Sequence, residues 1–163
     1  MDFKKLILEG VDGSGKTTYI QNFITLHSGF KKVDFDFLSH KEAVGDWEAR
    51  LLAKRFYVEH LEDDEPEVFD RSQISNYIYA KISGRYHQSA LNMLLRDVLT
   101  IKPNGVKIIF LMPDLEIIKE RLIDHSHKIE WSKVELAYNE YLEIIEKIKN
   151  ETGLNYEVIT HQD

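Results

Sequence analysis

Nine consecutive residues carry the clearest chemistry in the chain. Gly10-Val11-Asp12-Gly13-Ser14-Gly15-Lys16-Thr17-Thr18 fits the pattern G-x-x-x-x-G-K-[ST]. Glycines let successive backbone N–H groups curl around phosphate oxygens without Cβ clashes. A helix starting at Lys16 would add the positive end of its dipole. Lys16 supplies a point charge for β/γ-phosphates, and the Thr17 hydroxyl is a ligand suited to Mg²⁺. The expected ligand is a nucleoside triphosphate, ATP or GTP. A second group follows a short apolar run: Asp70, Arg71, Ser75, Asn76 and Tyr79. Arg71 is able to hold an acceptor phosphate and screen repulsion between two anions, or to pair with Asp70. Asn76 offers a donor and an acceptor to a pyrimidine edge. Tyr79, an aromatic residue at helical spacing, suits the core side of a helix. Asp34 and Asp36 share one side of a strand; Asp36, nearer the strand end, is preferred as the carboxylate that orients an acceptor, against a solvated strand end.

These residues need a scaffold that brings residues 10–18, 36 and 70–79 to one edge. The apolar run Leu6-Ile7-Leu8 reads as a strand before the loop, and 16–26 as a helix. Val33–Phe37 alternates like a second strand; 40–62 has helical spacing. Glu65–Phe69 reads as a third strand, 74–82 and 90–101 as helices, and Val106–Met112 as a buried strand. Pro113-Asp114 opens a further helix, Glu130–Lys149 is a long amphipathic helix, and Tyr156–Thr160 a last strand. Strand–helix alternation implies an α/β fold, a parallel sheet of about five strands between two helical layers. Ligands then sit at the carboxyl ends of the strands. The stretch Glu62-Asp63-Asp64-Glu65 reads as a solvated turn.

Composition narrows the classes. The 163 residues fit one domain, 1–163. A chain of this size buries about 70% of its unfolded surface without disulfides. No cysteine is present, which excludes thiolate metal sites and thiol catalysis. A net charge of −7 disfavours a nucleic-acid coat, and DNA as acceptor with it. No signal-like segment and no apolar run of about 20 residues is present, so a cytoplasmic protein without a membrane partner is expected.

The sequence resembles the thymidylate kinases. Glu9-Gly10-x-Asp12-Gly13-Ser14-Gly15-Lys16-Thr17-Thr18 is similar to their P-loop. Asp70-Arg71-x-x-x-Ser75-Asn76-x-x-Tyr79 is similar to their Asp-Arg-Tyr-x-x-Ser-x-x-Ala-Tyr. Ile118–Leu122, Lys128-Ile129-Glu130 and Tyr141-Leu142-Glu143 follow their lid helix and the helix after it. The related deoxynucleoside kinases end the third strand in Glu-Arg-Ser, and Asp70-Arg71-Ser72 lies between the two patterns. The resemblance implies a three-layer P-loop kinase fold, ATP and Mg²⁺ as cofactors, and an acceptor-clamping role for Arg71. It also implies a metal-linked role for Asp70, a thymine contact for Asn76, and for Tyr79 exclusion of a ribose 2′-hydroxyl. A lid over 121–130 would bring Arg121 and Lys128 onto the phosphates, Arg121 having Asp124 as an alternative partner. His125 and His127 lack a third ligand for a metal.

Three departures stand out. Asp36-Phe37-Leu38-Ser39-His40 replaces the family's Glu-Pro-Gly. The family's stacking phenylalanine and nearby arginine have only offset counterparts, Phe56 and Arg55. The segment after 160 is short. The expectation is a kinase acting on a small-molecule deoxypyrimidine monophosphate, dTMP first. A related kinase for a deoxynucleoside or a hydroxymethylpyrimidine, free or in DNA, and a non-catalytic nucleotide-binding regulator are the alternatives. A homodimer is left open.

Overall fold

The computed structural model describes residues 1–34, 59–84, 87–101, 105–123, 131–151 and 153–160. Five strands form one sheet: β1 (Lys5–Glu9), β2 (Lys31–Asp34), β3 (Glu67–Asp70), β4 (Val106–Leu111) and β5 (Asn155–Ile159). Five helices are described: α1 (Lys16–Leu26), α2 (Gln73–Ser83), α3 (Gln88–Leu99), α4 (Leu115–Ile123) and α5 (Trp131–Glu151). The three-layer α/β arrangement expected from strand–helix alternation is the one observed. Of the expected helix over 40–62, only 59–61 are described, and they are helical.

The strand order is β2-β3-β1-β4-β5, and all pairs are parallel. After β1 the chain fills one side of it with β2 and β3, then crosses to the other side for β4 and β5. That reversal lies at β1, so the crevice at its carboxyl end is the place for a ligand. Register aligns the ends: Leu8 stands opposite Asp70, and Asp70 opposite Asp34.

All of β1 is buried. Alternation sends Leu6 and Leu8 to one face and Ile7 to the other. The first face packs with Val68, Ile109 and Leu111 against Ile20 of α1. On the second face Ile7, Phe69, Ile108 and Phe110 pack against Ile74 and Ile78 of α2 and Tyr141 and Ile144 of α5. Helix α2 is covered nearly all round, with Gln73–Ile78 and Ala80 buried. Its polar residues Ser75 and Asn76 are therefore inside the protein.

At the opposite, amino end of the sheet, Lys5 is almost fully buried. Its ammonium bonds Asp63, the Glu65 carbonyl at 2.6 Å and Glu67 at 2.6 Å, while His60 Nδ1 lies 3.1 Å from Glu67. Asp63, Asp64 and Glu65 are exposed, as a solvated turn requires, yet this turn also supplies Lys5 with two of its acceptors. Among the described residues no helix is long and apolar enough to cross a membrane.

Candidate active site

The loop between β1 and α1 is built by close approach. Gly10 has φ 154°, and a Cβ there would lie 2.6 Å from Ser14 Oγ and 2.8 Å from the Leu111 carbonyl. Gly13 has φ 82°, and its Cβ would strike Leu122 at 2.9 Å. Glycine is required at both by the left-handed backbone and by the neighbours. Gly15, also left-handed, caps α1 at its N-terminus. Ser14 is buried, whereas Asp12, Thr17 and Thr18 are exposed at the crevice.

Lys16 lies back along this loop, its ammonium donating to the carbonyls of Gly10 at 2.9 Å and Val11 at 3.2 Å. Burial, and then the charge of Arg71, bring its pKa down to about 8, against the pull of Asp12, Asp70 and Glu9. Two cations thus face one crevice.

The second group begins where β3 ends. Asp70 closes the strand, with Lys32 Nζ 4.0 Å away. Arg71 then turns the chain at φ 79°, the one positive φ among described non-glycine residues. Holding a side-chain-bearing residue there costs about 1–2 kcal/mol, and such strain concentrates at functional sites. Its N–H is anchored on the Leu8 carbonyl at 2.9 Å. Ser72 starts α2 as its N-cap, accepting the Ile74 N–H at 3.1 Å. The Arg71 guanidinium is held on three sides. Nη2 donates to Asp12 at 2.8 Å, Nη1 donates to Ser75 Oγ at 3.1 Å, and the Tyr79 ring lies 5.3 Å beneath it. The pairing of Arg71 is therefore with Asp12 of the loop, across 59 positions of sequence. Tyr79 is half-buried, touching the core on one side and Arg71 on the other. Asn76 is 2% exposed, and its Oδ1 has no hydrogen-bond partner among the described residues.

Arg121 also reaches the loop. From the last turn of α4 its Nη1 donates to the Gly13 carbonyl at 3.1 Å. Of the carboxylates considered on the second strand, Asp34 ends β2 exposed and 3.3 Å from Lys32. Asp36, Arg55 and Lys128 lie outside the described residues, as do Asp124, His125, His127 and most of the expected lid.

Beneath Arg71 lies a group that sequence reasoning did not assign. Glu9, the last residue of β1, is wholly buried. Its carboxylate accepts from Ser75 Oγ at 2.5 and 3.0 Å and from Ser72 Oγ at 3.3 Å. Burial drives its pKa up to about 7, opposed by Arg71, Ser75 and Lys16. The Tyr141 hydroxyl of α5 lies 3.0 Å from Ser75 Oγ, and burial followed by Glu9 pushes its pKa well above the ordinary phenol value. The readable signal was a carboxylate ending a central strand, where burial demands partners.

With the geometry described, comparison places the architecture. A deoxyadenosine kinase from M. mycoides with dCMP and a flexible dCDP bound superposes with a TM-score of 0.66 at 13% identity, over 95% of this chain and 88% of that one. Thymidylate kinase from Candida albicans gives 0.67 at 20%, over 98% and 84%. The YorR protein of Bacillus subtilis, in complex with phosphorylated GDP, gives 0.68 at 20%, over 96% and 85%. The fold is that of the P-loop nucleotide and nucleoside kinases. No protein-family model and no curated protein sequence matches the chain. Here the loop after β1, the turn after β3 and α2 bring Asp12, Lys16, Arg71 and Tyr79 together.

Proposed function

We propose that the chain is an ATP-dependent kinase that passes the γ-phosphoryl group to a phosphate oxygen of a deoxypyrimidine nucleoside monophosphate, with dTMP the first choice. The observation that carries this reading is the pair of cations at the crevice, Lys16 and Arg71. They lie close enough for Arg71 to depress the Lys16 pKa. Anionic oxygens between them relieve that repulsion, and phosphoryl transfer needs charge neutralised on both donor and acceptor. Lys16 and the loop amides serve the donor, and Arg71 clamps the acceptor phosphate. Attack by an acceptor oxygen on the γ-phosphorus releases ADP.

Base and sugar selectivity rest on α2. The unpartnered Asn76 Oδ1 suits the ring N–H of thymine, because buried acceptors are rarely left unpaired. Tyr79, fixed against Arg71, is placed to crowd a 2′-hydroxyl. Asp36 orients the acceptor, Arg55 contributes to its pocket, and Arg121 and Lys128 belong to a lid over 121–130. The Thr17 hydroxyl and the Asp70 carboxylate are oxygen donors at the crevice, fitting a hard cation that keeps several waters, as Mg²⁺ does. When bound, Mg²⁺ supplies charge neutralisation on the β/γ-oxygens.

A second reading, a deoxynucleoside kinase, is supported by Ser72 after Asp70-Arg71 and by the likeness to deoxyadenosine kinase. An ADP-release assay with a panel of nucleosides, nucleoside monophosphates and DNA separates the readings. Stimulation by dTMP, lost about 100-fold or more in Lys16→Ala, is expected. Stimulation by a nucleoside and not its monophosphate moves the protein to the second reading. Tight ATP binding with no stimulation by any acceptor overturns both and leaves a nucleotide-binding regulator.

A further inference from the structure

We infer that Glu9 is a positioning residue for Arg71, acting through Ser75 to hold the guanidinium where an acceptor phosphate meets it. Glu9 is 0% exposed, so it touches no substrate and accepts no substrate proton. What it touches is the support of Arg71. Ser75 has one hydroxyl proton, and the bond of 2.5 Å to Glu9 claims it. The two lone pairs of Ser75 are then left to accept. Arg71 Nη1 can only donate, and it fills one at 3.1 Å. Tyr141 fills the other at 3.0 Å and must be the donor, as its elevated pKa keeps it protonated.

One hydroxyl is thereby saturated by three elements, β1, the turn after β3, and α5, and its direction is set by the Glu9 charge. Ser72 closes the far side of the same carboxylate. Arg71 needs this support because its backbone conformation is unfavourable and its other anchor, Asp12, is on an exposed side chain. Charge-assisted hydrogen bonds of this kind are the stronger class, and a rigid fork lowers the cost of meeting a phosphate. The inference rests on the reading of Arg71 as acceptor clamp, so its test has one arm that needs no acceptor.

That arm is NMR of the arginine side-chain nitrogens in the free protein, and both arms are run above pH 7, where Glu9 carries its charge. The Arg71 Nη signals are expected to be resolved and slowly rotating in wild type, and to collapse in Ser75→Ala and Glu9→Gln. In the second arm, with ATP saturating and dTMP as acceptor, both variants should raise the dTMP KM about tenfold while kcat falls less than about threefold. Glu9→Gln keeps the shape while removing the charge and turning one acceptor oxygen into an N–H2 donor, so it carries the test if Ser75→Ala does not fold. Unchanged Nη signals in Glu9→Gln overturn the inference. So does a fall in kcat with KM unmoved, the mark of a merely structural loss of active protein. Collapsed signals with dTMP KM and kcat both unmoved uphold the positioning and overturn the clamp reading of Arg71.

Discussion

Replacing Glu9 by glutamine should change how stability depends on pH, and the direction follows from burial. In the fold Glu9 faces Ser72, Ser75 and Arg71 at hydrogen-bond or charge distance, with Lys16 and Tyr141 beyond. Its pKa rises from 4.5 to about 7, burial outweighing Arg71, Ser75 and Lys16. An unfolded chain releases this proton near pH 4.5, whereas the folded chain keeps it until about pH 7. The folded state therefore binds more protons across that window, and stability falls as pH rises through it. The contribution is fully present below pH 4.5 and lost above about pH 7. At about 1.4 kcal/mol per pH unit this amounts to about 3 kcal/mol. Lys16 changes charge at about pH 8, above the window. Urea denaturation of wild type and Glu9→Gln at pH steps across the window measures the difference directly, because other carboxylates cancel. Glu9→Gln should gain on wild type with rising pH, by about 3 kcal/mol in all, and level off near neutrality. Curves parallel to within about 0.5 kcal/mol would refute the reasoning, since Arg71 and the serines would then balance burial in full.

Three further outcomes are expected. Lys5→Met leaves buried Glu67 with His60 but without its ammonium partner and should cost about 3 kcal/mol in thermal or urea unfolding, with much of it recovered in Lys5→Met/Glu67→Met. Gly10→Ala should destabilise by about 2 kcal/mol more than Gly84→Ala, because the Gly84 position is also left-handed but has open space around it; equal losses would discount the close approach to Leu111. Tyr79→Ala should bring the KM values of a ribonucleotide acceptor and its deoxy counterpart to within about threefold of each other, and unaltered discrimination would assign Tyr79 to packing alone.

The elements were legible wherever a local pattern reports burial. Leu6–Leu8 and Ile108–Met112 are continuous apolar runs because β1 and most of β4 are covered on both faces. The glycine-rich loop was legible because its parts are contiguous. At the edge the pattern weakens: alternation suggested a strand over 33–37, while β2 is Lys31–Asp34, with 35–37 outside the described residues. Long-range polar structure was not legible. Glu9 meets Ser75 across 66 positions, and Ser75 meets Tyr141 across another 66. Each of the three stands in a separate motif, and nothing in those motifs says that they meet. Lys5 stands just before the apolar run Leu6–Leu8, and only the parallel register sets it against Glu67. The helix Arg121 belongs to was readable, but its bond to the Gly13 carbonyl spans 108 positions and was not.

The position of β1 in the middle of the sheet has a consequence for the order of assembly. Strand β1 precedes both of its neighbours in the chain and must wait for them, since Lys5 pairs with Glu67 on one side and with Val106 on the other. Such distant pairings slow folding and leave an apolar strand open meanwhile. The same wait governs the crevice. Its buried hub takes Glu9 from the first strand, Ser72 and Ser75 from the middle of the chain, and Tyr141 from the long helix near its end. A nascent or truncated chain ending before α5 carries every residue of the glycine-rich loop and yet lacks the hydroxyl that completes the seat of Arg71. The support beneath the crevice is thus closed only when α5 has packed against α2.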